Sequence, residues 1–342
     1  MVIVMKKVIV LLLCLFLISG CGERVKKTQT QTKEIVATTE DRIGDNGLWC
    51  ATFQLIWNDL KNEYVKKDIE IDNDVARNLN KESFKESEIS ESYYYKKYGY
   101  ATPELKSEIE QSLKEKFNQE SEILDEFSWD GSLIFYTMLY REFEFEKKFD
   151  VLSNNDFGKY KNIKYFGISP DSKKELKNQI KILFYENNQN FAISIKTKSN
   201  DEVIMYKNPS GETFDEIYKN MTSKEKNYEG EIYMGDNDEF KAPMLSLNYK
   251  REYDELENKA FKTYEGEELY IYKAIQTIQF DLDEKGGKIK SEAGMGVKNT
   301  AFHKPSEPKK LYLNDTFALF LKEESKEKPY FGAKITDITK FQ

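Results

Sequence analysis

From Ile278 onward the side chains alternate. Ile278, Phe280 and Leu282 are apolar, while Gln279, Asp281 and Asp283 are polar. A period of two predicts a half-buried strand. Gly286 and Gly287 follow, and glycine accepts positive φ without steric cost, so the chain is expected to reverse there. The alternation then resumes. Gly287, Ile289, Ser291, Ala293 and Met295 fall on one side, and Lys288, Lys290 and Glu292 on the other. A resident strand is thus followed by a polar segment that carries a second strand pattern, and such a segment is able to join a sheet.

Elsewhere the period changes along the chain. Trp49, Phe53, Ile56, Trp57, Leu60 and Tyr64 recur at helical spacing and predict a helix from Leu48 to Tyr64. Thr102-Pro103 opens a second helix, with Thr as N-cap and Pro in the first turn, and Leu105, Ile109, Leu113 and Phe117 form its stripe. The stretch between them, residues 68–100, is mixed. From Leu133 the pattern turns to strands. KILFYENNQNFAISIK reads as a hairpin, APMLSLNYK as a strand opened by Pro243, and YIYKAIQTIQFDLD as a long strand. LYLNDTFALFLKEE and PYFGAKITDI read as two more strands. Short helices are expected from Phe214 to Met221 and over YDELENKAF. Helices first and strands later make an α+β pattern rather than a βα repeat. No Pro/Gly/Ser linker divides residues 47–342, so these form one domain.

The N-terminus changes the picture. Lys6 and Lys7 precede an apolar run from Val8 to Ile18, then Ser19, Gly20 and Cys21. This reads as a secretory signal over residues 1–20. Ile18 to Cys21 resembles the lipobox of bacterial lipoproteins, which implies lipidation of Cys21. The polar residues 21–46 read as a flexible membrane tether, with an r.m.s. reach of roughly 25–30 Å. Removing residues 1–20 takes away two lysines and no acid, which moves the formal charge from −8 to −10. An acidic chain disfavours nucleic acid as a partner. Cys50 then has no intrachain partner if Cys21 is acylated, and reads as a buried, inert thiol.

Chemistry is sparse. His303 is the only histidine, which leaves no His-dependent hydrolase outside its neighbourhood and no His/Cys metal site. Gly294-Met295-Gly296 follows no strand-to-helix pattern that would cradle phosphate. The reading is therefore a non-enzyme without cofactor or metal. A carboxylate-only hydrolase stays open as an alternative.

Five segments in chain order resemble the serpin family, over residues 133–342. LIFYTMLYREFEFEKKFD is similar to the strand that ends in an aromatic-rich FKG-W-x-x-x-F segment, with the tryptophan missing. APMLSL with YDELENKAF is similar to the LPKF strand and its short helix. TIQFDLDEKGG is similar to the strand entering the reactive-centre loop, with Glu284-Lys285-Gly286 in the hinge. LNDTFALFLKEE and PYFGAKI are similar to the closing pair of strands, with Thr316 in place of proline. Gln276 stands where the family has a buried histidine, and GGKIKSEAGM replaces the usual alanine-rich hinge.

The resemblance implies an α+β, serpin-like fold with central mixed and antiparallel sheets, N-terminal helices and an exposed reactive-centre loop. It also implies a mechanism. A protease cuts the loop, and the loop inserts as a new strand and distorts the acyl-enzyme. Counting seventeen residues from Glu284 puts the reactive bond at Thr300-Ala301; a second register gives Lys304-Pro305. The hinge set is Glu284, Gly286, Gly287, Ile289, Ser291 and Ala293. The expected partner is a secreted serine or cysteine protease, with a lipid anchor as the only membrane contact and a monomeric chain on the outer face of a bacterial membrane. The rival reading is a non-inhibitory surface lipoprotein that binds a solute or partner.

Overall fold

The run Phe317 to Leu321 lacks alternation because both faces of its strand are covered. All five residues are fully buried, which is the pattern of a central strand. In a computed structural model, which describes residues 29–288 and 308–342, Phe317–Glu323 lies inside a seven-stranded sheet. The strand order is Ile35–Val36, Gly47–Cys50, Phe331–Ile335, Phe317–Glu323, Asp201–Lys207, Asn190–Lys196, Ile180–Asn187. Only the first pair is parallel. The expected hairpin is present as Ile180–Asn187 and Asn190–Lys196.

A four-stranded sheet orders Lys310–Tyr312, Glu239–Pro243, Tyr160–Ile168 and Asp150–Phe157. Two further groups carry the site. One is a pair, β1 (Tyr94–Tyr100) and β2 (Leu133–Leu139), antiparallel along their whole length. The other is a five-stranded sheet, in which β3 (Phe143–Glu144), β4 (Leu245–Glu252), β5 (Ile275–Leu282) and β6 (Gly286–Gly287) join Thr30–Gln31. Four α-helices flank these sheets among the described residues: α1 (Thr52–Asp59), α2 (Asp74–Leu79), α3 (Pro103–Phe117) and α4 (Phe214–Lys226). The fold is α+β, with several mixed sheets and few helices, as expected.

Helix α3 forms as read. The Thr102 side chain accepts a hydrogen bond from the Leu105 amide, Pro103 occupies the first turn, and Leu105, Ile109 and Leu113 are buried. They pack on Ile134 and Tyr136 of β2. Helix α4 runs one turn longer than expected, to Lys226.

Other elements differ. The start of the helix expected at 48–64 is a strand, Gly47–Cys50. Leu48 and Trp49 are fully buried there, between Ile35–Val36 and Phe331–Ile335. Pairing inside the seven-stranded sheet outweighs the helical stripe, and the helix begins only at Thr52. YDELENKAF is a single turn, not a helix. The Tyr253 carbonyl accepts from the Leu256 amide at 2.8 Å, and the Asn258 amide turns away to the Ile271 carbonyl at 2.8 Å. APMLSLNYK splits at Met244 between two sheets, and Pro243 ends one strand instead of opening another. Folded chain begins inside the stretch read as a tether. Thr30–Gln31 pairs in parallel with Tyr249–Lys250, and Ile35, Ala37 and Thr38 are fully buried.

Candidate functional site

Strand β5 alternates buried and exposed side chains, so its core face is fixed. Its ladder with β4 is complete, Leu245 opposite Leu282 through Glu252 opposite Ile275. On its other edge the only strand pairing among the described residues is Leu282 with Gly287 of β6. Strand β2 likewise has β1 on one edge and no ladder partner on the other among the described residues.

A cavity of about 750 Å³ lies between these two open edges. Every residue of β2, and every residue of β5 from Ile275 to Asp281, lines it. Consecutive residues of both strands border this space, as strand edges do, and Phe53, Ile56, Trp57 and Leu60 of α1 border it as well. It is a slot between two strands.

The head of the slot is closed by the hinge. The turn falls at Asp283–Lys285, one step earlier than the glycines, and the Asp283 amide donates to the Gly286 carbonyl at 2.9 Å. Gly286 and Gly287 then form β6, antiparallel both to β5 and to β3. Gly286 is opposite Glu144, and Gly287 is opposite both Leu282 and Phe143. The Lys288 amide extends the pairing to the Asp281 carbonyl at 3.3 Å.

Both glycines are demanded by close approach. Gly286 has φ +149°, and a Cβ there would lie 2.2 Å from the Phe143 carbonyl oxygen. A Cβ at Gly287 would lie 2.4 Å from the Phe143 ring. The turn itself is held by backbone bonds. The Phe145 amide donates to the Lys285 carbonyl at 2.9 Å, and the Phe149 amide to the Glu284 carbonyl at 2.8 Å. Lys148 Nζ sits 3.3 Å from Glu284 Oε1.

Polar groups tie the slot to the rest of the fold. Gln276, which is buried, accepts from the Tyr253 hydroxyl at 2.7 Å and donates to the Cys50 carbonyl at 3.1 Å and to Thr52 Oγ1 at 2.9 Å. Burial pushes the Cys50 thiol above its ordinary pKa, which makes it a poor nucleophile. At the head of the slot Arg141 and Asp201 form a buried ion pair. Sequence reasoning missed both residues. The available signal was a lone arginine inside the apolar run LIFYTMLYREFEF.

Of the expected site residues, the structure brings Glu284, Gly286 and Gly287 together at the slot. Ile289, Ser291, Ala293, Thr300 and Ala301, as well as Cys21 and His303, lie outside the described residues. Among the described residues no group of three or more His, Cys, Asp and Glu side chains is placed to hold a metal ion.

No protein-family model matches the chain. No curated protein matches it either. Among solved structures it is similar to thyroxine-binding globulin in complex with thyroxine. The identity is 13% over 68% of this chain and 64% of that one, with a TM-score of 0.42. The chain thus spans less than two thirds of that protein's length. It is also similar to Serpin48, described as a highly specific serpin in the insect Tenebrio molitor. Here the identity is 11% over 87% of this chain and 93% of that one, with a TM-score of 0.49. At these identities the likeness is one of fold alone.

Proposed function

We propose that the chain is a serpin-like protease inhibitor held outside the cytoplasm by a lipid on Cys21, with the slot between β2 and β5 as the seat for its own cleaved loop. The observation that carries this reading is β6, because the first two residues of the returning chain already lie between β3 and β5. Strands β3 and β5 run in the same direction, and a strand continuing β6 runs antiparallel to both.

In a cleaved state that kept this register, Ile289 would stand beside Phe280 and Arg141, Ser291 beside Ile278 and Leu139, and Ala293 beside Gln276 and Thr137. These would share the face of Leu282, Phe280 and Ile278, all buried. Lys288, Lys290 and Glu292 would take the other face, with Lys288 beside Asp281. The insertion has a source of free energy. Among the described residues both edges lack a ladder partner over most of their length, and a strand between them would supply one to each. Uncut, the loop is tied at both ends, by β6 and by Lys310–Tyr312, which pairs in parallel with Glu239–Lys241. Cutting at Thr300-Ala301 frees the near half to move down the slot.

The partner is then a secreted serine or cysteine protease that accepts a small residue before the bond. The test is to incubate the soluble domain with a panel of such proteases. SDS-stable complexes, with the acyl bond mapped to Thr300, support the reading. Rapid clean cleavage without any complex sinks it.

A cavity of this size also suits a small apolar solute, which is the second reading: a solute- or partner-binding surface lipoprotein on the same scaffold. Turnover as a plain substrate, with retained solute binding, would favour it. For the anchor, Cys21→Ala should release the chain from the membrane fraction. From Cys21 to Thr30 the extended chain reaches at most about 30 Å, so the anchored domain would stand close to the lipid.

A further inference from the structure

Strand β2 belongs to one sheet and its continuation β3 to another, so the chain bends between Leu139 and Phe143. Arg141 sits in that bend and is 3% exposed. Its Nε donates to Asp201 Oδ2 at 2.6 Å, and its Nη2 donates to the Ser199 carbonyl at 2.6 Å. The guanidinium lies 3.2 Å from the centroid of the Tyr93 ring. Asp201 is 2% exposed and opens a strand of the seven-stranded sheet. Its carboxylate also accepts from the Tyr330 hydroxyl and from Ser199 Oγ, both at 3.1 Å. The Tyr140 amide donates to the Tyr93 carbonyl at 3.0 Å.

This cluster joins the bend to the sheet beneath the slot. Arg141 also lines the cavity. Two open strand edges facing one another attract, because each satisfies the other's backbone groups. At the head β6 already sets one strand's width between β3 and β5, so what needs a brace is the bend that carries β2 away from β3. A buried, fork-shaped, doubly hydrogen-bonded arginine is a rigid strut for that task.

We infer that Arg141 is a positioning residue: by bracing the β2–β3 bend on Asp201 it holds the mouth of the slot open at the width of one strand. The use of that width for loop uptake rests on the function proposed above. The bracing itself does not, so the two are tested separately.

Slot width is read by electron–electron spin distances between labels at Tyr98→Cys on β1 and Gln279→Cys on β5. The arginine-bearing chain should give one narrow distribution. Arg141→Met should shift it to shorter distances and broaden it, and Arg141→Lys should restore most of the original. Arg141→Met leaves a buried Asp201 without its cation and is at risk of misfolding. The double variant Arg141→Met/Asp201→Asn removes both charges and should collapse the slot in a folded chain, as judged by an unchanged far-UV spectrum. A distribution unchanged in both the single and the double variant overturns the inference. The second readout is uptake of a fluorescent peptide of residues 288–297, which should fall at least tenfold in the double variant. Where the parent chain takes up peptide, equal uptake by the double variant overturns the inference. Failure of the parent chain to take up peptide, with the spin-label response intact, overturns the loop-seat reading and leaves the strut standing.

Discussion

At Gly286 the two requirements of the site meet. Its φ belongs to the region that disfavours side chains, and the Phe143 carbonyl fills the space a Cβ would need. Gly286→Ala should cost about 1–3 kcal/mol, seen as a lower urea midpoint, while Gly266→Ala, which shares the positive φ but meets no neighbouring atom, should cost less. A pH test follows from Glu82. Burial works against its ionisation, but hydrogen bonds from Lys61 and Asn62 and the Lys61 charge outweigh burial. Its carboxyl therefore titrates below its ordinary 4.5. A depressed folded pKa gives a contribution that is full above the ordinary value and lost as pH falls through the folded one. Lys61→Met should therefore lower the urea midpoint at pH 7 and change it less at pH 3. An equal change at both would contradict this. At this scale the hinge was legible, because Glu284-Lys285-Gly286-Gly287 states its own geometry. Arg141 was not, since its role depends on Asp201, sixty positions away, and on a bend that no local pattern records.

Among the elements, those with a complete local statement were read well. Helix α3 has its cap, its proline and its stripe within fifteen residues. Thr102→Ala should cost about 1 kcal/mol, and hydrogen exchange of the first turn of α3 should quicken while that of α4, capped by Thr213, does not. The strand Gly47–Cys50 was hidden because Leu48 and Trp49 satisfy a helical stripe as well as a buried strand; its partners at Ile35 and Phe331 decide. YDELENKAF was misread for the opposite reason. Its helix formers are cut short by Asn258, which adopts positive φ.

For the whole molecule, the proposed inhibition rests on a difference between two states of one chain. The sequence carried the two strand patterns and the glycine pair between them. It could not carry the slot, which is a relation between Leu133–Leu139 and Ile275–Leu282, more than a hundred residues apart. Among the described residues, the facing edges of β2 and β5 carry no ladder beyond Leu282 with Gly287. A strand inserted between them adds on the order of ten hydrogen bonds, each worth about 1 kcal/mol net. At roughly 2–4 °C per kcal/mol for a domain of this class, the thermal midpoint should rise by on the order of 20 °C. The direct measurement is the unfolding midpoint of the soluble domain before and after a single cut between residues 289 and 307, with both fragments retained. A large rise after the cut is expected of a chain that takes up its own loop. A midpoint that stays the same or falls would contradict it.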